Sequence, residues 1–246
     1  MGIAVSTATD VAKSAAGIVL TQPGLSGIVA AVKEGRVTFQ RVLTYAINSV
    51  TKKVVQVLFL AAGLVLTGHA ILTPMLIVIV MLTGDLLGMS LTTDNVRPSA
   101  APNSWRTGPL MLAGVFMGLC ELVFCVALFA FAKFHLGLGL ESLRTLAFVS
   151  VVFGNQATTY TNRERKHIWS SRPGNWLVAS SLVDISITST LAICGIAMTR
   201  LSPVLVATTI LTAIIFAFAV DFLKVPVLNG LGIADKPLSP SPASCP

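Results

Sequence analysis

Charge is scarce in this 246-residue sequence: 11% of its residues are charged and 54% are hydrophobic. Water-soluble domains carry about 25% charged residues, so the composition excludes an ordinary soluble enzyme. With a mean hydropathy of +0.83, the chain reads as a multi-span membrane protein. Cysteine is also sparse. Cys120, Cys125 and Cys194 lie in apolar runs and Cys245 near the end, with no CxxC spacing and no histidine cluster. That pattern indicates neither a disulfide framework nor a metal centre. The start lacks a basic segment followed by an unbroken apolar core, since Asp10 and Lys13 interrupt it, so it is not a secretory signal. The net charge of +7 does not indicate nucleic acid, because its basic residues cluster in short segments between apolar runs.

Within that apolar background, the stretch from Ile71 to Trp105 stands out. It places one carboxylate, Asp85, in a run of membrane-spanning length and then ends in a polar segment with Pro98 and Pro102. An ionisable group at such a position is costly unless it faces protein or water, which points to an ion or proton site. The competing reading is a structural carboxylate hydrogen-bonded to a neighbouring helix.

Residues 1–24 read as an αβ piece: a strand over Gly2–Val5, a helix over Ala8–Ala16 capped by Ser6 or Thr7, and a strand over Gly17–Leu20. So short a piece cannot bury a core alone, so its partner strands are expected elsewhere. A helix over 25–45 follows, with apolar Ile28, Val32, Val37 and Leu43 among Lys33, Glu34, Arg36 and Arg41. Six spans are expected in 46–224, over about 47–68, 71–91, 109–131, 145–161, 176–198 and 203–222. The first carries a polar stripe of Asn48, Lys52 and Gln56, four residues apart, with Lys53 on the next face. The two lysines either snorkel to the headgroups or provide fixed positive charge near Asp85. Glu121 in the third span, Gln156 with Asn155, Thr158 and Thr159 in the fourth, and Asp184 in the fifth are secondary candidates, each also suited to an interhelical hydrogen bond. His69 falls in a short hairpin turn as a surface histidine. The proline- and serine-rich end of 225–246 is expected to be disordered.

Arg97, Arg106, Arg163, Arg165, Lys166 and Arg172 lie in two loops on one side, against Lys133, Arg144 and Arg200 on the other. The positive-inside rule therefore places both termini in the cytosol.

The segments GIAVSTATDVAKSAAGIVL and QPGLSGIVAAVKEGRVTFQRVLTYAIN resemble the end of the phosphorylation domain and the stalk entering the fifth membrane helix of P-type cation-transporting ATPases. TGDLLGMSLTTDNVRPSAAPNSW, NQATTYTNRERKHIWSSRPG and DFLKVPVLNGLGI resemble, within that family, the plasma-membrane proton-efflux pumps and their bacterial relatives. The resemblance implies a mostly α, polytopic membrane protein: a remnant of a haloacid-dehalogenase-like phosphorylation domain, a stalk, and membrane helices five to ten. It also implies residence in the plasma or inner membrane. The family's DKTGT, TGE and GDGxND motifs and its first four membrane helices have no counterpart in these residues. The resemblance thus implies a carboxy-terminal portion with no catalytic residue of its own. ATP and Mg2+ would act in the complete pump, with the amino-terminal part as partner and no cofactor bound by this chain.

By the same resemblance Asp85 matches the sixth-helix carboxylate of the ion site. Lys52, counted from Tyr45, matches a fifth-helix arginine of the plasma-membrane proton pumps, and Lys53 falls where calcium pumps have a carboxylate ligand. A lysine there disfavours divalent cations. The cargo expected on these grounds is a proton carried by Asp85, with Lys52 or Lys53 stabilising the carboxylate when the two approach. Two further classes stay open: a free-standing secondary transporter or channel, although no internal repeat is visible, and a non-catalytic remnant or partner subunit.

Overall fold

The computed structural model describes residues 2–21, 26–96, 98, 107–165 and 167–230. Arg97, Arg106, Pro102, Lys166 and the end from residue 231, with its expected disorder, lie outside the described residues. The protein is a mostly α, polytopic membrane protein with a small sheet at its amino-terminal end.

That sheet pairs β1 (Ile3–Ala4) with β2 (Ile18–Val19) in parallel, Ile3 opposite Ile18 and Ala4 opposite Val19. The connection between them is α1 (Asp10–Ala15), a right-sized crossover for a parallel pair. The cap is Thr9, whose hydroxyl accepts from the Ala12 amide, rather than Ser6 or Thr7. The earlier residues are used in a turn that closes with the Ala8 amide on the Val5 carbonyl, and this moves the helix start on to Asp10.

Stalk and first span form one unbroken helix, α2 (Ser26–Thr67). Its 42 residues correspond to about 63 Å at 1.5 Å per residue. A tight turn containing His69, which is exposed, leads to α3 (Pro74–Ser90), capped by Thr73 and started by Pro74. Then come α4 (Thr107–Phe134), α5 (Leu140–Arg163), α6 (Asn175–Cys194) and α7 (Pro203–Gly230). The fifth of these six long helices ends at Cys194 because Gly195 adopts the left-handed conformation there. The last runs through Pro226 to Gly230.

Five of the six are long and apolar enough to cross a membrane. The exception, α5, is polar because it sits inside the bundle: every residue from Thr145 to Thr159 is buried. A helix enclosed on all sides can carry Asn155, Gln156, Thr158 and Thr159 only where neighbours supply partners. Its apolar part, with Phe148, Val149 and Phe153, packs into a core shared with Val55 and Phe59 of α2 and Phe129 of α4.

The α2–α4 contact is set by two glycines one turn apart. A Cβ on Gly114 would come within 2.7 Å of Val50, and one on Gly118 within 2.8 Å of Val54. The bare surface lets the backbones approach closely enough for the Thr51 hydroxyl to donate to the Gly114 carbonyl at 3.2 Å. This contact fixes the rotation of α2, and therefore the direction in which Lys52 points.

Candidate functional site

Between α2 and α3 lies a cavity of about 260 Å³. Its walls include Lys52, Lys53 and Gln56 of α2, Gly84 and Asp85 of α3, and Asn155 of α5. Helical spacing explains the α2 set, since residues 49, 52, 53 and 56 fall on one side of a helix. Lys52 points inward: its ammonium donates to the Gly84 carbonyl at 2.7 Å. Gly84 and Gly88 both face this ammonium, and a Cβ at either would meet it at ordinary contact distance. A Cβ at Gly84 would lie 3.4 Å from Lys52 Nζ and one at Gly88 4.0 Å from it. Lys53 is exposed along the cavity wall.

Asp85 opens into the cavity and is exposed to it, and among the described residues it has no ion pair or hydrogen bond. Lys52 is not at ion-pair distance from it, but its ammonium is in electrostatic reach of three carboxyls: Asp85, Glu121 and Asp184. The arrangement is a carboxyl on α3 and two lysines on α2, Lys52 fixed and Lys53 exposed, bordering one cavity. In such an arrangement, movement of either helix changes the electrostatic field at the carboxyl.

The other expected residues, Asn48, Gln156, Asp184 and Glu121, do not line this cavity. Asn48 is turned away from the cavity and accepts a hydrogen bond from the Asn162 amide at 2.8 Å, bolting α2 to α5. Gln156 and Asp184 bind each other: the Gln156 amide donates to Asp184 Oδ2, and the Ser181 hydroxyl donates to Gln156 Oε1 at 2.5 Å. Thr83 of α3 and Thr188 stand beside the same Asp184 carboxyl. Glu121 is completely buried, with Thr158 on one oxygen.

Two charged clusters were not foreseen. Asp94, 1% exposed, pairs with Arg163 at 3.4 Å and accepts from the Gly174 amide at 2.7 Å, while its carbonyl accepts from Arg41 at 2.9 Å. One residue thereby ties the end of α3 to the stalk, to α5 and to the start of α6. In α7, Asp221 pairs with Lys224 at 2.7 Å and meets His167 at 2.9 Å, both α7 side chains being fully buried. Lys224 also donates to the Thr161 carbonyl at 2.6 Å. The second cluster had a sequence signal, since opposite charges three residues apart share a helix face. Asp94 had none, because its partners are 69 and 80 residues away.

No family model matches the sequence. Over 168 residues, 68% of the chain, it is 32% identical to a protein of Methanocaldococcus jannaschii named "Putative cation-transporting ATPase". The match covers 21% of that relative's length.

Proposed function

We propose that the chain is the membrane part of a P-type, ATP-driven cation pump of the plasma or inner membrane. Its cargo is the proton, and Asp85 carries it. The observation that supports this reading best is the shared cavity, which sets a carboxyl free of other partners opposite the Lys52 ammonium. The stalk helix continuous with α2 provides a rigid link along which events in a cytosolic domain can move Lys52 relative to Asp85. The similarity to a relative named as a cation-transporting ATPase supports the same class.

The proton is preferred over larger ions on the chemistry of the walls. Calcium takes 6–8 oxygen ligands, whereas this cavity offers one carboxyl and the neutral oxygens of Tyr45, Ser49, Gln56 and Asn155 beside two lysines, whose positive charge opposes a divalent cation. An ammonium brought to about 4 Å from the carboxylate at an effective dielectric of about 20 stabilises it by about 4 kcal/mol before desolvation is subtracted. The sign of this interaction favours release of the proton when the ammonium approaches and rebinding when the helices separate.

The test is reconstitution with the amino-terminal part of the pump in sealed vesicles free of sodium, potassium and calcium. ATP-dependent acidification of the lumen is expected. Phosphorylation with ATP that moves no protons until another cation is added would refute the proton assignment, and failure of the two parts to support any ATP-dependent transport would refute the pump.

A further inference from the structure

Glu121 sits in the middle of α4 with no exposed surface and does not line the cavity of Asp85. Its carboxyl rests on Gly154 of α5, where a Cβ would come within 3.1 Å of Oε1. The missing side chain makes room for the carboxyl. One turn along, Thr158 Oγ1 lies 2.8 Å from Oε2, and Oε1 has no hydrogen-bond partner. The charge facing it from α2 is Lys52, in electrostatic reach but not at ion-pair distance. From α5 it meets the Thr158 hydroxyl, on its own helix the buried Cys125 thiol, and beyond Lys52 stand Asp85 and Asp184.

The Thr158 hydroxyl has one proton and three oxygens in range: Glu121 Oε2 at 2.8 Å, the Gly154 carbonyl at 3.0 Å and the Asn155 carbonyl at 3.3 Å. An ionised Glu121 would need that single proton as its one hydrogen bond and would leave a buried anionic oxygen with no donor. A neutral acid resolves the conflict. Its own O–H donates to Thr158 Oγ1, and the threonine proton goes to the Gly154 carbonyl. Every polar hydrogen is then used, and the oxygen left without a donor is a neutral carbonyl, a smaller penalty than a charge.

We propose that Glu121 is a second proton-binding site of the bundle, a neutral acid held against Thr158 that exchanges its proton with water. On uptake the carboxylate oxygen takes the proton of a hydronium and leaves water; on release the O–H bond breaks, water takes the proton, and Lys52 is the cation facing the carboxylate. The site goes beyond the assignment of Asp85 and does not depend on it.

Infrared spectroscopy of the 246-residue chain in lipid nanodiscs tests the proposal without ATP. At neutral pH a carboxylic-acid C=O band is expected that is lost in Glu121→Gln, kept in Asp85→Asn and Asp184→Asn, and moved on transfer to D2O. If Glu121→Gln leaves the acid region unchanged, the site is not a neutral acid. A band that stays in place after equilibration in D2O shows a trapped proton and overturns the exchange. Should Glu121→Gln not fold, Thr158→Val serves instead: loss of the acceptor raises the band frequency, and an unmoved band contradicts the hydrogen-bond scheme. Loss of transport in Asp85→Asn with this band intact would separate the two assignments.

Discussion

Removing the Asp94 side chain tests how the end of α3 is held to the stalk, to α5 and to the start of α6. In Asp94→Ala the Arg163 guanidinium, whose side chain is 2% exposed, loses its anion at 3.4 Å. The direct Coulomb interaction at that separation and an effective dielectric of about 20 is about 5 kcal/mol. Burial of both charges cancels part of that when the pair forms, but deleting one partner leaves the other unpaired, which costs about 3–5 kcal/mol. The Gly174 amide also loses its acceptor, although a vacated site there can admit water. Arg163 keeps its bond to the Ser171 carbonyl at 2.5 Å, which limits the loss. A double-mutant cycle with Asp94→Leu, Arg163→Met and both together, read by denaturant-induced unfolding in mixed micelles, separates the pair from the packing. Each single substitution is expected to cost at least about 3 kcal/mol, and the double variant less than the sum by about 2 kcal/mol or more. Additive costs, or a single loss below about 1 kcal/mol, would refute the idea that this pair is a buried bolt.

Lys224→Met should destabilise by about 3 kcal/mol in the same assay, because Asp221, with no exposed surface, loses its lysine and keeps only His167 and the Ile168 amide; combining it with Asp221→Asn should recover most of the loss. Gly118→Val is expected to cost about 1–3 kcal/mol through overpacking against Val54. The same variant should weaken the neighbouring Thr51 to Gly114 bond, seen as faster amide exchange around Thr51. Asn48→Leu removes the bolt to Asn162 at about 1–3 kcal/mol while leaving the cavity residues in place, so reconstituted transport per folded molecule should be unchanged.

The helices were legible because hydropathy and length suffice to find them, and α3, α4, α6 and α7 show it. The reason for α5 was not legible. Its polar residues are explained by enclosure on every side, which is a property of the bundle and not of the helix's own sequence. The same limit applies to the polar stripe of α2. Helical periodicity put Asn48, Lys52 and Gln56 on adjacent turns, but their direction relative to α3 and α5 is set by the Gly114 and Gly118 contact on the far side of the helix. Lys52 and Gln56 consequently line the cavity while Asn48 joins α5. The two lysines also divide: Lys52 is turned in to the Gly84 carbonyl and Lys53 stays exposed. Asp94 shows the opposite limit, since its role is made by chain segments that only the folded bundle brings together.

The role proposed for Asp85 as proton carrier is tested most directly by the initial rate of ATP-driven acidification in vesicles holding the complete pump, compared between the parent and Asp85→Asn. The substitution keeps the size of the side chain and removes its exchangeable acid proton. The account predicts that acidification is lost while phosphorylation from ATP persists and Asn48→Leu still pumps. Acidification by Asp85→Asn at the parent rate would contradict it.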